Sequence, residues 1–324
     1  MTAAMLILEP IFEVDLQPEQ YADRPQRSAL DAVNHVYALV KSRHWEVLDA
    51  DLSGYFDSIP HAELMKSVAR RISDRNLLGL IKMWLQAPVE ETDVRGRKQR
   101  TTRNKDTGRG SPQGAPISPL LANIYMRRFV LGWKTLGYEQ RFQAKIVNYA
   151  DDFVICCRAG AEEALVAMRE MMRTLKLTVN EEKTHLCRLP EQSFDFLGYT
   201  FGRHYSKEGY RYIGQRLSKK KVQSICRRIS ERTSVRWGWL EEDEQIGCLH
   251  RMMQGWANYF SLGPVRDCYR TVTNHARTRV RRWLCRKYKR QGQGYARFPD
   301  EYLHNELGLV QLRLRRQRLP CAIP

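Results

Sequence analysis

Two adjacent carboxylates set between two apolar runs constrain this chain more than any other feature. Residues 145–157 read Lys-Ile-Val-Asn-Tyr-Ala-Asp-Asp-Phe-Val-Ile-Cys-Cys. Two short runs rich in β-branched residues, interrupted at Tyr149-Ala150-Asp151-Asp152, predict a hairpin with the acids at or beside its turn. Held side by side, Asp151 and Asp152 repel, and removing both from water is costly. A hard divalent cation such as Mg²⁺, bound through oxygen, relieves that cost. A solvated Asp-Asp turn fits the same stretch equally well, so the rest of the chain must separate the two readings.

With 324 residues, 43% of them hydrophobic, the chain can fill two cores. Its 54 Lys and Arg against 36 acids give a formal charge of +18, which points to a polyanionic partner. Nucleic acid suits this better than a membrane. No apolar run approaches the roughly 20 residues of a spanning helix. Met1–Pro10 is too short for a secretory signal and lacks its basic start. The eight cysteines form no Cys-x-x-Cys pair, and Cys156 and Cys157 read as small apolar residues on a buried strand. That usage fits a reducing cytoplasm and argues against a zinc site. Charge is uneven: residues 203–290 hold 22 Lys/Arg and 7 Asp/Glu, which makes the second half a basic arm.

Taken in order, Ser28 is placed to cap a helix from Ala29 to about Arg43, after a loop carrying Arg24 and Arg27. Those two arginines read either as phosphate contacts or as solvated loop residues. Glu46–Leu52 alternates as a strand with Asp49 and Asp51 on one face. Gly54 permits a tight turn, and Asp57 or Ser58 is placed to cap a helix running to about Ile72. Asp74 caps a second helix ending before Pro88. Residues 93–110 are basic and read as a loop or exposed hairpin. Gly110–Pro119 then forms a rigid turn carrying Gln113, with a helix starting at Ser118. Further on, Ala161–Leu175 is an amphipathic helix, Leu177–Val179 a short strand and Phe194–Phe201 a strand with an aromatic turn. Beyond about 215 the pattern is helical. Ser218 caps Lys219–Ile229, Leu249, Met253, Trp256, Tyr259 and Phe260 form one apolar stripe, and a long basic helix spans Asp267–Lys289. Its basic faces, with few compensating acids, read as phosphate-binding.

An acid at a strand end, a tandem pair 100 residues later and a rigid Gln-Gly turn between them suit two-metal phosphoryl transfer, in which shared carboxylates hold both ions. At this point the chain resembles the reverse transcriptase/maturase proteins of bacterial group II introns. The matching blocks are Tyr-x-x-Arg-Pro-x-Arg-Ser at 21–28, Asp-Ala-Asp-Leu-Ser-Gly-Tyr-Phe-Asp-Ser-Ile at 49–59 and Ser-Pro-Gln-Gly-Ala-Pro-Ile-Ser-Pro-Leu-Leu-Ala-Asn-Ile-Tyr at 111–125. Tyr-Ala-Asp-Asp-Phe-Val at 149–154, Asn-Glu-Glu-Lys-Thr at 180–184, Phe-Leu-Gly-Tyr at 196–199 and Gly-Trp-Ala-Asn-Tyr-Phe at 255–260 continue the series.

The resemblance implies an α+β fold. A polymerase palm of mixed or antiparallel sheet with packed helices and partial fingers would occupy 1–210. An α-helical thumb/maturase domain and tail would follow at 211–324. It implies an RNA-directed DNA polymerase that also binds intron RNA. Asp51, Asp151 and Asp152 would be catalytic and, with the Leu52 carbonyl, would hold two Mg²⁺ ions, for which Mn²⁺ could substitute. Phe56 would be the gate against a ribose 2′-hydroxyl, and Gln113 and Lys183 would lie near the incoming deoxynucleotide. Arg24 and Arg27 would face primer or template, with Phe196, Leu197, Gly198 and Tyr199 as the primer grip. Arg270, Arg277, Arg281, Arg282 and Lys287 would face intron RNA. The family's Lys/Arg-rich first fingers block and its DNA endonuclease segment find no match here, so a protein partner or a second copy would be one way to supply the fingers. The expected partners are intron RNA, an RNA template, a DNA primer and deoxynucleotides, with no membrane, in the bacterial cytoplasm. A splicing-only maturase and a domesticated relative in phage defence are the alternatives.

Overall fold

The computed structural model describes residues 1–92, 98–112, 114–206 and 208–314. Its backbone divides into two compact units. The first holds Met1–Leu197 and Phe201–Gly214, and the second holds Gly198–Thr200 with the chain from Gln215 onward.

The first unit opens on α1 (Thr2–Glu13), a helix the sequence reading did not foresee. Helix α2 (Ala29–Lys41) starts at Ser28 with a complete capping box: Ser28 accepts from the Asp31 amide while Asp31 accepts from the Ser28 amide. Strand β1 (Glu46–Ala50) follows. Gly54 (φ +55°) turns the chain into the single turn α3 (Tyr55–Ser58), and Pro60 precedes α4 (His61–Val68). Neither Asp57 nor Ser58 caps α4. The Ser58 hydroxyl donates instead to the Tyr55 carbonyl, and α4 stops short of Ile72. Helix α5 (Arg75–Leu85) carries the expected Asp74 cap.

Strand β2 (Val89–Thr92) precedes the basic stretch and pairs antiparallel with β3 (Lys98–Thr101) inside it, and the short α6 (Arg103–Thr107) follows. The long α7 (Ser118–Thr135) is buried along most of its length, and α8 (Tyr138–Arg141) leads into β4 (Ala144–Tyr149) and β5 (Asp152–Cys157). Helix α9 (Ala161–Thr174) packs Met168 and Met172 inward. The expected strand at Leu177–Val179 reduces to one bridge, Val179 to Leu52. The ladder partner is instead β6 (His185–Arg188), whose charged ends hide its strand character. The sheet order is β4-β5-β1-β6, antiparallel throughout. Helical side chains such as Tyr125, Phe129 and Trp133 fill the core with the sheet residues Leu48, Phe153 and Ile155. This is the α+β architecture the sequence implied.

A three-stranded sheet, β7 (Phe194–Phe196), β8 (Tyr199–Tyr205) and β9 (Arg211–Leu217), leads to the helices. Ser218 caps α10 (Lys219–Arg232), and α11 (Glu242–Tyr259) and α12 (Arg266–Lys287) follow. Their core joins Leu249 and Met253 to Val272, Ala276, Val280, Trp283 and Leu284. Tyr259 departs from the expected stripe: it is exposed, and Ala257 is buried in its place. Among the described residues no helix is long and apolar enough to cross a membrane.

Candidate active site

The backbone register brings the distant acids to one sheet end. Tyr149 pairs with Asp152 across the β4–β5 turn, and Ala50 pairs with Phe153 across β5 and β1. Asp51 therefore leaves β1 at the level where Asp152 opens β5, and Asp151 sits on the turn. Ala150 takes a left-handed conformation (φ +56°) to make that turn, and the buried Asn148 amide donates to its carbonyl at 2.8 Å. Asn148 is itself anchored: its amide donates to the Glu19 carbonyl at 2.9 Å and its carbonyl accepts from Tyr21 at 3.0 Å.

Lys183 reaches the same place. Its ammonium lies 3.1 Å from Asp51 Oδ2, and Asn180 Nδ2 donates to that oxygen at 3.2 Å. The Asn180 amide also donates to the Asp51 carbonyl at 2.9 Å, and Ser53 donates to Thr178 at 2.9 Å. Leu52 is buried, and in this non-hydrogen-bonded pair, flanked by those two bonds, its own N–H and C=O face away from Val179.

Two further carboxylates join the acids. Asp49, on β1 opposite Val154, is pushed up to about 7 by burial and then by the charges of Asp152, Asp195 and Asp51. Negative charge is therefore crowded here, which is the environment a divalent cation relieves. Even so, among the described residues no three His, Cys or carboxylate groups stand close enough to hold a metal by themselves. Asn180, Asp49 and Asp195 were in view in the sequence without an assigned role. The signal for Asp49 was its alternation with Asp51. Nothing local pointed to Asn180, whose partner is 129 residues away.

Phe56, half-buried on α3, is tied to the rigid turn: its carbonyl accepts from the Ser111 amide at 2.7 Å. Gly110 donates to Ile59, and the buried hydroxyls of Ser111 and Ser118 join at 2.7 Å, which fixes the segment to the start of α7. Gln113 lies outside the described residues.

The arginine expectations fare differently. Arg24 is turned inward. It forks onto Glu13 (2.6 Å at its shortest) and donates to the carbonyls of Gln17 and Gln20 at 2.7 and 2.8 Å, so its guanidinium is spent on fixing the loop. Arg27 is exposed, 5.4 Å from the Tyr21 ring centre, and its guanidinium donates to the Pro18 carbonyl at 3.2 Å. Phe196 is buried in the first unit, and Leu197 and Gly198 form a turn with φ +48° and +85°. Tyr199, in the second unit, is fully buried with its ring against Phe260. On α12, Arg281 is only 2% exposed, donates to the Phe298 carbonyl, pairs with Asp300 and lies 4.2 Å from the Tyr295 ring centre. Arg277 shares Asp300, and Lys287 donates to the Leu240 carbonyl. Arg270 and Arg282 are exposed.

The family model for "reverse transcriptase (RNA-dependent DNA polymerase)" matches residues 1–201. The chain belongs to that family. A second model, the group II intron maturase-specific domain, matches residues 222–301 of this reverse transcriptase. It is 29% identical over 271 residues to protein YkfC of Escherichia coli, covering 72% of the chain and 68% of YkfC. It is 27% identical over 259 residues to the group II intron-encoded protein LtrA of Lactococcus lactis, covering 61% of the chain but 41% of LtrA, so it spans well under half of that relative's length. Among solved structures, apo telomerase from Candida tropicalis aligns over 94% of the chain and 60% of its own, with 10% identity and a TM-score of 0.49. The family assignment rests on the sequence matches.

Proposed function

We propose that this reverse transcriptase is an RNA-directed DNA polymerase of group II intron type. It would add deoxynucleotides to a DNA primer on an RNA template, and its second unit would bind intron RNA in splicing and mobility. The observation that best supports this is the strand register that sets Asp51 level with Asp151-Asp152, with Lys183 held on Asp51.

The donor chemistry fits hard divalent ions: carboxylates crowded at one sheet end, with the surplus negative charge visible in Asp49. In this reading Asp51 and Asp151 would hold two Mg²⁺ ions, with Asp152 and the Leu52 carbonyl as further ligands. Bound there, such ions ease ionisation of the primer 3′-hydroxyl and stabilise the leaving pyrophosphate. Lys183 keeps Asp51 paired until a triphosphate arrives, and its exposure leaves the ammonium free to turn toward that anion. Phe56, whose carbonyl is fixed by the Ser111 amide, would be the side chain that excludes a 2′-hydroxyl.

Primer extension on an RNA template with Mg²⁺ tests this. Wild-type activity that vanishes in Asp151→Ala supports it, and an inactive wild type rejects it. The match of residues 222–301 to the maturase domain fits a second reading as well, an RNA-folding cofactor without synthesis. Under it, Asp151→Ala leaves intron splicing unchanged while neutralising Arg270 and Arg282 impairs it.

A further inference from the structure

A second charged feature lies in the first unit and shares no residue with the acidic sheet end. A cavity of about 210 Å³ is walled by Arg70 and Arg71, just after α4, by Arg127 and Arg128 on α7, and by Asp15 and Ser67. Like charges so gathered repel, and a fold tolerates the cost where an anion binds. Internal partners account for only part of the charge. Arg71 forks onto Asp15, its Nε 2.6 Å from Oδ2, and Arg128 stands 3.5 Å from Glu63 and 5.3 Å from the Tyr125 ring centre. Among the described residues the Arg127 guanidinium donates to the Asp15 carbonyl alone, at 2.6 Å. Arg70 is exposed and has no hydrogen bond or ion pair among the described residues. Asp15 is already committed. Its carboxyl is held below the ordinary range by the Arg71 hydrogen bond and, against burial, by the charges of Arg71 and Arg127.

The volume limits the occupant. Pockets that enclose a whole small-molecule ligand run to roughly 300–1,000 Å³, so this one suits a single anionic group whose remainder stays outside. Planar guanidinium forks match phosphate oxygens two at a time. No aromatic face lines the cavity other than Phe12, which is 3% exposed, so bases have nothing to stack on. We propose that this arginine cavity is a docking site for a backbone phosphate of RNA, reading position rather than sequence. The inference rests on the reading that the chain handles RNA.

Binding of the full chain to a labelled 20-base-pair RNA duplex, titrated with salt, tests it. Arg70→Gln is the first variant, because Arg70 holds nothing else in place. Lys82→Gln, an exposed charge on α5, is the matched control. Arg70→Gln should weaken binding roughly 3–10-fold and lower the salt slope by about one, with Lys82→Gln changing both by less. Both variants should unfold at the wild-type urea midpoint, since both side chains are exposed. Equal effects of the two variants would overturn the site. So would a site for free anion only, in which inorganic phosphate raises the melting midpoint of wild type but not of Arg70→Gln while duplex affinity stays level. A wild type that binds no duplex sinks this proposal and the functional reading together; tight binding by Arg70→Gln sinks this one alone.

Discussion

In the first unit, carboxylates are brought together by backbone pairing. β1, β5 and the β4–β5 turn deliver Asp51, Asp151 and Asp152 to one sheet end, and Asp49 registers the crowding. In the second unit, a helix disperses its charge. α12 carries Arg270, Arg277, Arg281, Arg282 and Lys287, and the fold sends some of them inward: Arg281 and Arg277 to Asp300, and Lys287 to Leu240. Arg270 and Arg282 face solvent. Strand register concentrates like charge wherever a ligand is to neutralise it. Helical spacing of about 100° per residue sorts charge by face, so a basic helix in the sequence overstates its basic surface.

The sharpest test of the first half of that contrast is Asp151→Ala. Removing one carboxylate from the shared set should cut primer extension by at least about 100-fold with the unfolding midpoint held or raised, since repulsion falls. A variant that loses activity only because it unfolds would mean the acids serve the fold and not the chemistry.

Arg281→Ala and Arg270→Ala divide the second half. Truncating Arg281 leaves the Phe298 carbonyl without its donor and uncovers the Tyr295 ring, which should cost roughly 3 kcal/mol. Arg270→Ala should stay within about 0.5 kcal/mol in stability and instead weaken RNA binding with a shallower salt slope. Urea midpoints and duplex affinity, measured side by side, decide the matter. The contrast breaks if Arg281→Ala folds normally and loses only RNA affinity.

Features set by local pattern were legible in the sequence. The β4–β5 hairpin follows from its two apolar runs, and the caps at Ser28, Asp74 and Ser218 follow from side chains that accept amides three residues on. The buried line of α12 follows from its spacing. What escaped depends on distant partners. An arginine before Pro25 looks like surface until Glu13 folds back onto it, and Arg281 does until Asp300 arrives from 19 residues away. His185–Arg188 does not read as a strand because its pairing with β1, and not its own side chains, makes it one. Asn180 gained its place only when β1 closed against the Val179 bridge.

The turn between β7 and β8 gives a smaller effect that sharpens the picture of the second unit. Gly198 holds φ +85°, and a Cβ there would stand 2.8 Å from Phe260 Cε1 and 3.1 Å from Lys221 Cγ. Gly198→Ala should therefore cost about 2 kcal/mol through backbone strain and a displaced ring. Calorimetry in which this variant melts at the wild-type temperature would show that the helical core yields at Phe260.

Asp49→Asn should have the smallest effect, and its sign depends on pH. Folding raises this carboxyl from 3.8 to about 7, by burial first and then by Asp152, Asp195 and Asp51. Between those values the folded chain keeps a proton that the unfolded chain has released, so this group lowers stability as pH rises from about 4 to about 7, and the loss then levels off. Asparagine cannot ionise, so the variant should match wild type near pH 4 and exceed it by about 1 kcal/mol at pH 8 in chelator, the full shift being discounted for solvent at the strand end. Urea midpoints at the two pH values measure this, and an equal change at both would assign it to packing. Added Mg²⁺ should then narrow the gap at pH 8, because a cation held by Asp51 and its neighbours offsets the charges that raised Asp49; a gap indifferent to Mg²⁺ would separate Asp49 from the acids it crowds.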